Sequence, residues 1–145
     1  MKNTKLLTLL LIGFIFSLAS CNDDKDSPQP VSANTAFLTA KTWQISQIMF
    51  DSVDVTTDPD VATEASTRIK FDKNGTYTLT RTDGTETGTW KFSNNETHLI
   101  YGPSASAMQD YEIVELMDNS FKGKSIYTFD DGSSINVQVD MVYEQ

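Results

Sequence analysis

The chain is poor in the residues that build most small-protein chemistry. It has one cysteine, one histidine and four prolines in 145 residues. A lone thiol, Cys21, excludes an internal disulfide. One histidine leaves no zinc-type ligand spacing, and no glycine-rich phosphate loop precedes a helix. Basic residues are also few, 11 Lys+Arg against 20 Asp+Glu, for a net charge of −9. A chain this acidic does not hold duplex nucleic acid by neutralising phosphates. The single long apolar run, Leu6 to Leu18, is too short and wrongly flanked for a spanning helix.

What stands at the N-terminus is informative. Lys2 and Lys5 precede the apolar run, and small residues close it before Cys21. That order predicts a secretory signal peptide over 1–20. Leu18-Ala19-Ser20-Cys21 resembles the lipobox of bacterial lipoproteins. The resemblance implies a diacylglyceryl group on the Cys21 thiol, cleavage before it, and acylation of the new amino terminus. Removing Lys2 and Lys5 leaves nine basic against twenty acidic side chains, a net −11. Anionic headgroups repel such a chain, so the membrane is reached through the acyl chains on Cys21. Each buried CH₂ contributes about 0.8 kcal/mol. Residues 21–32 read as the lipidated cysteine followed by a disordered acidic tether. The cluster Asp23, Asp24, Asp26 resembles the surface-export signal of Bacteroidetes lipoproteins. That implies an outer-membrane lipoprotein exposed at the cell surface; by composition the cluster is equally a solvated linker.

Residues 33–145 are enough for one domain. Ala33, Ala36, Phe37 and Ala40 fall at helical spacing behind Ser32, predicting a short capped helix. From Lys41 the period drops to two. Asn74-Gly75, Asp83-Gly84, Asn94-Asn95, Asp118-Asn119 and Asp130-Asp131-Gly132 punctuate the alternation at hairpin intervals. Eight strands are predicted near 42–50, 65–72, 76–82, 86–92, 97–101, 109–116, 120–129 and 133–143. In the last, Ile135, Val137, Val139, Met141 and Tyr143 share one face. One apolar and one wet face per strand predicts an antiparallel sheet around one core. Closing it removes the exposed edges. The fold expected is all-β: an eight-stranded antiparallel up-and-down barrel with a short N-terminal helix at one end.

Four stretches in order carry a second resemblance: Leu38 to Ile45 around Lys41-Thr42-Trp43, Phe71 to Tyr77 around Asn74-Gly75, Gly88-Thr89-Trp90-Lys91-Phe92, and Tyr111 to Leu116. They look like the lipocalin-like domains common in Bacteroidetes lipoproteins, over roughly 37–143. The resemblance implies a lipocalin-like barrel more than a particular ligand. True lipocalins carry glycine where this chain has Lys41. They also carry an arginine after the last strand that stacks on the first tryptophan, and Tyr143-Glu144-Gln145 supplies none. Arg68 or Arg81 is left as the candidate cover for Trp43.

Catalytic candidates are few. His98, between Thr97 and Leu99, reads as a surface strand residue without an identifiable nucleophile or carboxylate. Asp51, Asp54, Asp58, Asp60 and Glu64 crowd one connection but lack EF-hand spacing, and read as a solvated lid. Glu112 and Glu115 alternate to opposite faces and cannot flank one substrate without a bulge. No catalytic residue, metal ligand or cofactor is assigned, and no enzyme is expected. The aromatics remain. Trp43, Tyr77, Trp90, Tyr101 and Tyr127 are the candidate lining of a site for a small apolar ligand at the barrel mouth, with Phe92 and Phe129 beside them. The alternative is that they fill the interior, which short strands and many large inward groups favour. A non-enzymatic binding module is the leading expectation. Its rival is an accessory lipoprotein docking an envelope protein or glycan through the outer face.

Overall fold

The computed structural model describes residues 31–144. The expected signal segment, Cys21 and all but the last two residues of the expected tether lie outside the described residues. Helix α1 spans Ala33–Ala40. Ser32 caps it, its hydroxyl accepting from the Thr35 amide at 3.1 Å. Nine strands follow: β1 Thr42–Phe50, β2 Val53–Asp54, β3 Arg68–Phe71, β4 Thr76–Arg81, β5 Gly84–Ser93, β6 His98–Gly102, β7 Gln109–Leu116, β8 Ser120–Thr128 and β9 Ser134–Tyr143. All pairings are antiparallel. Neighbours pair in chain order from β3 to β9, and β1 pairs with both β3 and β9. Eight strands thus close on themselves as an up-and-down barrel, and β2 is a short flap on β1.

The core lies inside. Trp43, Ile69, Phe71, Tyr77, Leu79, Trp90, Leu99, Phe121, Val139 and Met141 are buried and packed together. Ring pairs link the aromatic members, Phe71 edge-on to Trp90 at 5.8 Å and Tyr77 to Tyr101 at 5.2 Å. Both indole N–H groups are satisfied, Trp43 by the Leu38 carbonyl at 2.8 Å and Trp90 by the Asp72 carbonyl at 2.9 Å.

The two barrel ends differ. One is sealed by α1: Leu38 is buried in the core, the Tyr143 hydroxyl donates to the Phe37 carbonyl at 2.7 Å, and the Lys70 ammonium donates to the Thr39 carbonyl at 2.8 Å. Trp43 is covered by Tyr143, ring centroids 4.3 Å apart, and the Lys41 ammonium lies over Tyr143 at 5.0 Å. This corrects the expectation of an arginine cover. Arg68 pairs with Glu144 instead.

The opposite end carries the connections β1–β3, β4–β5, β6–β7 and β8–β9. The connection expected as a plain lid is more structured. Asp51 and Ser52, both at positive φ (44° and 72°), make a two-residue hairpin turn into β2. A 3₁₀ turn over Pro59–Val61 and a four-residue helix, α2, Ala62–Ala65, follow. Asp51 also accepts from the Asn136 amide at 3.1 Å and from its side chain at 2.8 Å, tying this turn to β9.

Candidate functional site

Four of the five aromatics proposed as ligand-contacting point into the barrel. Trp43 and Tyr77 are 0% and 1% exposed, Trp90 is buried, and Tyr101 is largely so. They touch one another and the core aliphatics rather than lining open space. Two concavities among the described residues have none of these four in their walls. Burial sets the ionisation of the interior phenols. Desolvation pushes Tyr101 well above the usual tyrosine value, reinforced by Tyr111 beside it, and raises Tyr111 as well. Burial and then the hydrogen bond to Glu86 (2.6 Å) raise Tyr77.

Tyr127 stands apart from these four. It is 52% exposed and Phe129 46% exposed, the two rings edge-on at 5.0 Å. Alternation puts Tyr127 on the inward face, opposite Ile135. However, β8 leaves β7 after Glu112↔Lys124, and β1 leaves β9 after Phe50↔Val137. The tip of the β8–β9 hairpin therefore stands beyond the barrel wall, where an inward direction faces solvent.

A groove of about 800 Å³ lies at this end. Its lining is built from five neighbouring strands. The registers Met49↔Gln138, Gln138↔Lys124, Lys124↔Glu112 and Glu112↔His98 form one continuous row on the outward face. Met108, Ile126 and Val137 add apolar surface, and Asp51 and Ser52 form the lip. The polar groups are fixed. Gln138 Nε2 donates to Met49 Sδ at 3.4 Å and to the Asp140 carboxylate at 3.1 Å. His98 Nδ1 lies 2.8 Å from Asp110 Oδ1. Hydrogen bonds from Asn136 hold the Asp51 carboxyl below the usual range.

His98 thus has a carboxylate partner that spacing along the chain did not reveal. The signal was the register of the β6–β7 hairpin, where Ile100 faces Asp110 and His98 faces Glu112. Among the described residues no hydroxyl hydrogen-bonds the other ring nitrogen, so a nucleophilic triad is not assembled. Glu112 and Glu115 are also revised. A bulge between Ile113 and Glu115 brings both to the outward face, opposite Lys124 and Lys122. Glu115 is engaged by the Ser120 hydroxyl at 2.7 Å. No cluster of three or more metal-ligating side chains occurs among the described residues.

An eight-stranded up-and-down barrel sealed at one end by a short helix defines a lipocalin-like protein. The family model described as "Lipocalin-like domain" matches residues 39–123, and the chain belongs to that family. Similar solved structures include a DUF4847 family protein from Bacteroides vulgatus, at 15% identity and a TM-score of 0.50, covering 78% of this chain and 98% of that one. An odorant-binding protein is similar at 12% identity and a TM-score of 0.50, covering 81% of this chain and 77% of its own. Both likenesses concern the fold. No curated protein matches the chain.

Proposed function

We propose that the chain is a lipid-anchored, non-enzymatic binding module that takes a small apolar molecule at the open end of its barrel. One observation carries this reading: the interior is occupied by the protein's own rings, while an 800 Å³ groove stands at the rim. That volume is in the range of small-molecule sites, and four apolar side chains stand among the polar groups of its wall. Met49, Met108, Ile126 and Val137 would contact the apolar body, and Gln138, Asn136 and the His98–Asp110 pair its polar group. One barrel of similar fold is named for binding odorants, which is in keeping with a small ligand here.

Anchoring rests on the sequence. Leu18-Ala19-Ser20-Cys21 supports lipidation at Cys21, and a tether to residue 32 would leave the domain from 33 onward clear of the bilayer. The outer membrane is the proposed location, with the acidic tether in favour of surface exposure.

The test is titration of the full chain with an uncharged naphthalene probe, followed by its fluorescence. Binding that a Val137→Glu variant abolishes, while a Trp43→Phe variant retains it, supports the rim groove. Retention by Val137→Glu overturns it. Cys21→Ser should move the protein from the membrane to the soluble fraction.

The reading of an accessory lipoprotein docking an envelope protein or glycan also has a specific observation in its favour, the exposed apolar tip formed by Ile126, Tyr127 and Phe129.

A further inference from the structure

The groove has a wall that small-molecule binding does not explain. β7 and β8 pair only from Glu112↔Lys124 to Leu116↔Phe121. Beyond Lys124, β8 runs on to Thr128 paired with β9 alone. Gln109 to Tyr111 of β7 pair with β6 alone. The next rung of the ladder, Asp110 with Ile126, is not formed. Both flanking segments line the groove, so the barrel is unzipped along it.

Strand alternation identifies the backbone groups left over. Ser120 accepts from the Met117 amide on the β7 side, and the Phe129 amide donates to Ser133 on the β9 side. The β8–β9 register is unbroken between them. Alternation therefore aims the N–H and C=O of Ile126 and Thr128 at the opening. On β7, the Ile113 amide donates to Thr97 on the β6 side. Asp110, three residues earlier, consequently aims its backbone at the opening too.

We infer that this split edge takes an added β-strand: an extended segment of a partner protein with alternating apolar and basic side chains. Unpaired strand edges are templates for main-chain pairing, and proteins that use them for recognition read alternate side chains in flanking pockets. The apolar preference follows from Tyr127 and Phe129, which share the inward side of the hairpin tip, opposite to the acidic groups, and are 52% and 46% exposed. The basic preference follows from Asp51, Asp110 and Glu112 in the groove wall and Asp130-Asp131 at the hairpin tip, against Lys124. The same acidity disfavours a second copy of this chain, whose edge would bring like charge to like charge. The inference goes beyond small-ligand binding and does not require it.

The experiment titrates the full chain with a fluorescent synthetic peptide of alternating lysine and valine, read by anisotropy. Saturable binding is expected. N-methylation of every second peptide amide should weaken it at least about tenfold, because main-chain hydrogen bonds are lost. A glutamate–valine peptide should bind at least about tenfold less tightly. Ile126→Pro removes an edge donor while leaving the bonds to β9, and should weaken binding similarly. No binding of the lysine–valine peptide overturns the inference, as does equal binding of its N-methylated form; both arms use the unaltered protein. A concentration-dependent dimer that Ile126→Pro converts to monomer would assign the edge to self-association and overturn it also. The naphthalene titration reports on the groove separately, so either reading can fail alone.

Discussion

The two ends of the barrel are made from the same kind of strand and come to opposite outcomes. At the helix end α1 covers the rim, docked on β1, β3 and β9 through its Leu38, Thr39 and Phe37 carbonyls. Trp43, Tyr143 and Leu38 stack there with their polar atoms matched to carbonyls. At the open end β7 parts from β8 and the β8–β9 hairpin runs past both neighbours. Residues of similar chemistry, such as Tyr127 and Phe129, are left in water there. The contrast teaches that inward-pointing aromatics build a core only where the ladder on both sides is long enough to surround them. Where it stops, the same pattern produces a binding surface.

The sharpest way to break this comparison is at Trp43. Trp43→Ala empties a fully buried site and removes the ring under Tyr143, and should cost about 3–5 kcal/mol in chemical denaturation. Gly123→Ala comes next. Its Cβ would lie 2.7 Å from the Phe121 ring and 3.2 Å from the Tyr111 ring, where the β7–β8 ladder is about to end. About 1–3 kcal/mol should be lost, with shifts of Tyr111 resonances. Ser32→Ala removes the cap of the sealing helix and should cost about 1 kcal/mol. Phe129→Ala, at the open end, should change stability by less than about 0.5 kcal/mol. A loss there comparable to that at Trp43 would erase the distinction between the ends.

The smallest effect is electrostatic and belongs to the flap. Hydrogen bonds first from the Thr56 side chain, then from Gln47 and the Thr56 amide, hold Asp54 down to about 2. A depressed carboxylate stabilises the structure above its unfolded value of 3.8 and loses that contribution as pH falls toward 2. Amide signals of β2 and Thr56 should therefore broaden between about pH 4 and pH 2, and Asp54→Asn should abolish that dependence. Because the carboxylate is exposed, global stability should barely register it.

Much of the fold could be read along the chain. Strand β1 was expected at 42–50 and is Thr42–Phe50; β7 was expected at 109–116 and is Gln109–Leu116. Ser32 was legible as a cap because capping is settled within three residues. The Asp51-Ser52 hairpin was missed because neither residue is the glycine or asparagine that usually marks left-handed turns. The candidate site was far less legible. Its lining comes from five strands, and the partnership of His98 with Asp110 depends on cross-strand register. The outward placement of Glu112 together with Glu115 depends on a bulge that period-two reading assumes away.

By itself the sequence determined an acidic, all-β chain whose strands each carry one apolar face, since alternation and turn chemistry act over two to four residues. Tertiary structure alone decided which end closes, which aromatics are enclosed and where backbone groups stay unpaired. Those outcomes depend on the cross-strand registers and bulges that set where each ladder stops once the sheet has curled to meet itself, and no local stretch of sequence encodes them.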